Sequence, residues 1–83
     1  MARLTILYFA RVAETMGRDR DEVEVPVGIA TLGDLADWID ARGEGSLGPR
    51  DKLRGAIDQD MASLDTPLGT AKEVAFFPPV TGG

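Results

Sequence analysis

Eighty-three residues make one domain with a single small core, and a composition of 43% hydrophobic and 28% charged residues is that of a folded chain, not a disordered one. The chain has neither Cys nor His, which excludes disulfides, thiolate or imidazole nucleophiles and the usual soft-metal ligands. A net charge of −5 argues against nucleic acid and for a partner with a basic surface; with no apolar run of roughly 18 residues and no secretory leader, no membrane contact and a cytoplasmic location are expected.

Residues 2–9 read as a first strand, with Leu4, Ile6 and Tyr8 on one face and Thr5, Leu7 and Phe9 on the other. Ala10 to Met16 has room for one or two helical turns before Gly17 stops them. Arg18-Asp19-Arg20-Asp21 reads as a polar turn. The strict alternation of Glu22-Val23-Glu24-Val25, closed by Pro26, reads as a second strand paired with the first in a hairpin. Thr31 opens the clearest helix. With Asp34 it resembles a capping box, and Leu32, Leu35, Ala36 and Ile39 recur at helical spacing, with Trp38 on the flank of that stripe. The helix is expected to stop near Arg42-Gly43. Residues 43–52 read as a Gly-rich, charged, flexible loop, and residues 53–57 as a short strand. Asp58-Gln59-Asp60 is then a turn, Met61-Ala62 a brief strand and 63–72 a loop. Residues 73–77 close the domain as a strand with Val74 and Phe76 on one face and Ala75 and Phe77 on the other. The expected architecture is α+β: a mixed sheet over one main helix, the β-grasp arrangement, with the first and last strands side by side in the middle. The expected division is a domain over 1–77 and a flexible, extended tail over 78–83.

Two candidate motifs carry little. Gly43-Glu44-Gly45-Ser46-Leu47-Gly48 matches a GxGxxG string, but a helix precedes it and Pro49 follows it, the reverse of what a dinucleotide site needs. Asp58 with Asp60, or Asp19, Asp21 and Glu22, lack the spacing of a calcium loop and read as solvated turn carboxylates.

The C-terminus is more specific. An apolar strand runs directly into Pro78-Pro79-Val80-Thr81-Gly82-Gly83. The prolines pre-stretch the chain and lower the entropy lost on threading into a partner. The glycines lack Cβ and pass a narrow channel. Such an arm reaches about 20 Å when extended. The picture is a carboxylate on Gly83 carried at the end of a thin arm.

These residues resemble the ubiquitin-like sulfur carriers, and in particular the small subunits of molybdopterin synthase. Phe76-Phe77-Pro78-Pro79-Val80-Thr81-Gly82-Gly83 looks like that family's C-terminus, and Leu7-Tyr8-Phe9-Ala10-Arg11-Val12-Ala13-Glu14 its first strand and following turn. Asp58 stands where the family commonly has Asn. The resemblance spans the whole chain and implies a ubiquitin-like β-grasp fold. It implies that the Gly83 carboxylate is adenylated by a separate ATP-using enzyme and converted to a thiocarboxylate by a sulfur donor protein. The tail, Pro78 to Gly82, then enters the large synthase subunit, and the sulfur goes to a cyclic pyranopterin monophosphate to build the dithiolene of molybdopterin. It further implies two copies of each subunit, and no cofactor on this chain, the ATP being used by the partner. Within the same fold, the alternatives are the sulfur carrier of thiamine synthesis, which is typically shorter and lacks the Phe-Phe-Pro-Pro run, and a ubiquitin-like modifier of lysines.

A docking surface follows from strand parity. Phe77 lies opposite Phe76, and Phe9 opposite Tyr8, so on neighbouring strands both face away from the helix. Phe9, Met61 and Phe77 are the expected apolar anchor for the large subunit.

Overall fold

The computed structural model describes residues 2–79. Its elements are β1 (Ala2–Tyr8), α1 (Ala10–Met16), β2 (Arg20–Val25), α2 (Leu32–Ala41), a 3₁₀ turn at Arg50–Lys52, β3 (Arg54–Ile57), β4 (Asp60–Ala62) and β5 (Glu73–Phe77). The five strands form one mixed sheet in the order β2-β1-β5-β3-β4. β5 runs parallel to β1 and antiparallel to β3, so the first and last strands are central, as expected of a β-grasp fold.

The parity of the strands decides the core. Leu4, Ile6, Tyr8, Val23, Val25, Val74 and Phe76 are all buried, and they meet Leu32, Leu35, Ala36 and Ile39 of α2 in one cluster. Burying each such side chain contributes roughly 1.5–3 kcal/mol. α2 starts where the sequence predicts: the Thr31 hydroxyl accepts from the Asp34 N–H at 3.1 Å, and the Asp34 carboxylate accepts from the Thr31 N–H at 3.2 Å. Two further N–H groups of its first turn are satisfied from the 63–72 loop, Leu32 by the Thr66 carbonyl and Gly33 by that of Leu64. Gly55 lets α2 approach the sheet, since a Cβ there would stand 2.6 Å from Leu32 Cδ2.

Three expectations need correction. Arg20 and Asp21 are not turn residues; β2 begins at Arg20, which pairs with Leu7. β1 ends at Tyr8, and Phe9 instead precedes α1 as its N-cap residue. The 43–52 segment is a tethered loop, not a free one. Leu47 is buried, Ser46 exchanges hydrogen bonds with Thr15, and the Leu47 N–H donates to Asp40. Arg50 grips Asp37 and Asp40 of α2 at 3.1 and 2.7 Å. Gly45, at φ 150°, packs so close to Met16 that a Cβ would meet backbone at 2.8 Å. Of the three glycines of the GxGxxG string, Gly45 thus serves packing against α1, whereas a Cβ at Gly43 or Gly48 would meet no described atom within 4 Å.

Candidate functional site

The candidate site grows out of the end of β5. Phe76 is fully buried, and its carbonyl accepts from the Phe9 N–H at 3.1 Å. Phe77 is the last paired residue, opposite Arg54 of β3. Pro78 and Pro79 follow outside regular structure. Having no N–H, they cannot extend the ladder, so the chain leaves the sheet at this point. The tail is therefore rooted between two neighbouring strands, the most firmly held position a sheet offers. Val80, Thr81, Gly82 and Gly83, the sequence-predicted reactive end, lie outside the described residues.

The opposite end of β5 is fastened by Asp58. Its carboxylate accepts from the N–H groups of Lys72 and Glu73, both at 3.0 Å, while its own N–H donates to the Glu73 carbonyl at 2.8 Å. Asp58 has φ 49°, a left-handed conformation that Asp and Asn tolerate best. The Asp in place of the family's Asn meets both demands, the tight turn and the acceptor for β5.

The outward face of the sheet is apolar around the tail root. Phe9 and Met61 are exposed at 50% and 71% of their surface, and Phe77 is half-buried. The registers show that they do not stand alone: Leu7, Ala75, Ala56 and Met61 form one continuous outward row across four strands. Ala56 is buried but lies outside the core cluster, as its position on this face requires. Strand parity places Leu7 and Ala75 outward; the register is needed to see that they join Phe77 to Met61. Phe9 reaches this face through a tight junction. A single extended residue separates β1 from α1, and the next, Ala10, takes φ 52° to turn the chain into the helix.

A polar cluster missed by sequence reasoning braces the same end of β1 from within. The Tyr8 hydroxyl donates to Asp21 at 2.8 Å, and Arg18 closes on the same carboxylate at 2.8 Å, with its ring-facing guanidinium 5.8 Å from the Tyr8 centroid. Arg18 also donates to the carbonyls of Met16 and Glu44. Burial, followed by the hydrogen bond to Asp21 and that residue's charge, holds the Tyr8 phenol well above its ordinary value. The phenol is a neutral structural donor, and the Asp21 assigned to a solvated turn is its acceptor.

A central strand flanked by a parallel and an antiparallel neighbour, wrapped on one main helix and running out into a proline-led C-terminus, defines a ubiquitin-like β-grasp protein. The chain belongs to the ThiS family, whose model matches residues 6–83. It is 40% identical over 82 residues to the molybdopterin synthase sulfur carrier subunit of Escherichia coli, covering 96% of this chain and 99% of that one. To the human molybdopterin synthase sulfur carrier subunit it is 30% identical, over 100% of this chain and 97% of the other. Among solved structures, it superposes with a TM-score of 0.73 and 31% identity on one from Pyrococcus furiosus described as molybdopterin converting factor, subunit 1, covering 96% of this chain and all of that one. It also superposes on small archaeal modifier protein 1 of Haloferax volcanii, with a TM-score of 0.65 and 30% identity over 96% of this chain and 100% of the other.

Proposed function

We propose that this protein is the sulfur carrier subunit of molybdopterin synthase. One observation carries the reading: end-to-end similarity to carriers of that name, with the tail rooted on the central strand beside a partly exposed apolar face. On this reading the chain contributes one reacting atom of its own, the Gly83 carboxyl carbon, and its partners supply the catalytic groups. A free carboxylate is a poor electrophile. Transfer of AMP from ATP by a separate enzyme releases pyrophosphate and gives the carboxylate a leaving group. Attack by a donor persulfide expels AMP, and thiol cleavage of the resulting S–S bond leaves a thiocarboxylate. The arm, Pro78 to Gly82, carries it into the large subunit, where sulfur passes to a cyclic pyranopterin monophosphate. Phe9, Met61 and Phe77 hold the carrier against that subunit, two copies of each forming the complex. The domain over 1–77 is the handle and 78–83 the working arm.

The test is reconstitution with the adenylating enzyme, ATP and a sulfur source, read by intact mass. Replacement of one oxygen by one sulfur at Gly83 is expected. Adding one residue after Gly83 should abolish it, because the carbonyl carbon is then locked in an amide, and misplacement near 1 Å alone costs roughly a hundredfold. Thiocarboxylate on an extended, untrimmed chain would overturn the reading. The likeness to small archaeal modifier protein 1 favours one other reading, attachment of the chain to lysines. An isopeptide-linked ladder in cell extracts, without precursor conversion by the large subunit, would establish it instead.

A further inference from the structure

The outward face of the sheet sorts its charges along the strand axis. The row nearest the tail root carries Arg54 beside Phe77, and the next ends in Arg20 beside Leu7. The third row has Glu22 and Glu73 on either side of Thr5, and the fourth pairs Glu24 with Arg3. The face is thus cationic where the chain leaves the sheet and predominantly anionic at the far end, in a molecule whose net charge is −5. Arg54 is exposed, and its hydrogen bonds among the described residues go to the carbonyls of Asp51 and Leu53, which do not neutralise it. Arg20 meets Glu22 at 3.6 Å with about half of each side chain in water, a contact too screened to cancel its charge. Arg3, the cation of the anionic end, is itself spread toward Glu22 at 3.8 Å.

We propose that this charge sorting orients docking: the acceptor presents an apolar socket with carboxylates facing Arg54 and Arg20, and basic groups facing Glu22 and Glu73. The proposal rests on the carrier reading above and states the chemistry of the partner's surface. Apolar contact has no direction of its own. Apolar contact through Leu7, Ala75, Phe77 and Met61 does not by itself forbid a half-turn of the domain on its acceptor, which would reverse the end of β5 from which the tail departs. Opposite charges at the two poles forbid that arrangement, because like charges then meet at both ends. The net charge alone predicts a uniformly basic partner; the distribution predicts a divided one.

The experiment is stopped-flow association of the full chain with the large subunit of molybdopterin synthase from the same source, at low and at high salt. Arg54→Glu is expected to slow association about tenfold at low ionic strength, with Arg54→Gln between it and the wild type. The gap should nearly close at about 0.5 M salt, where the screening length is only a few Å. Glu22→Lys, at the far pole, should also slow association. With a uniformly basic partner, Glu22→Lys would slow association but Arg54→Glu would speed it, and with a uniformly acidic one the reverse, so slowing by both variants requires the divided surface. Both side chains are exposed, so circular dichroism should show unchanged folding. If Arg54→Glu associates as fast as the wild type or faster, while Phe77→Ala still weakens the complex, the orienting role is overturned and the carrier reading stands. If the unaltered chain does not bind the large subunit, both are overturned.

Discussion

The two faces of the sheet are built from the same strands and treat apolar side chains in opposite ways. On the inner face Ile6, Tyr8, Val74 and Phe76 lie under α2, none more than 2% exposed. On the outer face Leu7, Ala75 and Phe77, the residues alternating with them, are only partly buried among the described residues, and Phe9 and Met61 extend the same surface. A sheet with one solvated face ordinarily alternates apolar with polar residues, and β2 does so strictly, with Glu22 and Glu24 outward against Val23 and Val25 inward. β1 and β5 depart from that rule at the end where the tail begins. The inner face holds the fold, and on the proposed reading the outer face of the two central strands is apolar for another molecule. Their proximity to the tail matters: a carrier is useful only if docking the domain also aims the arm.

Phe76 and Phe77 are adjacent in sequence and belong to different faces, so they give the sharpest test of this division. Phe76→Ala should cost about 3–5 kcal/mol of folding stability, a large part of what a domain of this size possesses. It should show as a collapse of the urea midpoint. Phe77→Ala should leave that midpoint within about 1 kcal/mol of the wild type and instead weaken the complex with the large subunit by about 2 kcal/mol or more, beyond tenfold in calorimetry. A Phe77→Ala variant that unfolds, or one that binds normally, would show that the outer face serves the fold after all.

This division was legible in the sequence to the extent that it depends on period. Two-residue alternation separated Phe76 from Phe77 and Tyr8 from Phe9, and 3.6-residue spacing with Thr31 and Asp34 gave α2 and its start. The continuous row from Leu7 to Met61 needed strand registers, which no single segment encodes. Leu47 was hidden because one apolar residue among glycines has no period; its burial is fixed by Asp40 and by the close approach of Gly45 to Met16. Arg20 and Asp21 were read as turn because charge resembles a loop, whereas their strand is set by pairing with Leu7 and Ile6. The proposed reactive end rests on the sequence motif alone, since Val80 to Gly83 lie outside the described residues and Gly-Gly after paired prolines is a statement about chain shape, not about packing.

The inner face also holds a buried ionisable group, the Tyr8 phenol, which high pH can address. The Tyr8 phenol is raised in the folded protein, so between its ordinary value of about 10 and its folded value the native state keeps a proton that the unfolded chain has lost. Stability from this source is complete below pH 10 and declines above it, by up to about 1.4 kcal/mol per pH unit. Tyr8→Phe should cost about 1 kcal/mol at neutral pH, through the lost hydrogen bond to Asp21, and should lack this alkaline decline. Urea unfolding from pH 8 to 11.5 should therefore show the two curves converging above about pH 10 and then crossing. Parallel curves would mean that Tyr8 titrates alike in both states.

The smallest effect concerns the junction that carries Phe9 from one face to the other. Tyr8 is the last inward residue of β1, and α1 begins two residues later, so the whole reversal is made at Phe9 and Ala10. Phe9 stays extended at φ −125°, and Ala10 takes φ 52°. A left-handed residue with a Cβ costs roughly 1–2 kcal/mol relative to its right-handed form, a strain that glycine avoids. Glycine also enlarges the freedom of the unfolded chain, which takes back about 0.5–1 kcal/mol. Ala10→Gly should therefore stabilise the domain by about 0.5 kcal/mol, whereas Ala10→Val, β-branched and still less suited to positive φ, should destabilise it by more than 1 kcal/mol. Both are measurable as shifts of the urea midpoint at constant slope. If Ala10→Gly instead lowers the midpoint, the junction is held by contacts of the Ala10 methyl and not by strain overcome elsewhere. Phe9 would then owe its place on the outer face to packing, as Phe76 does to the inner.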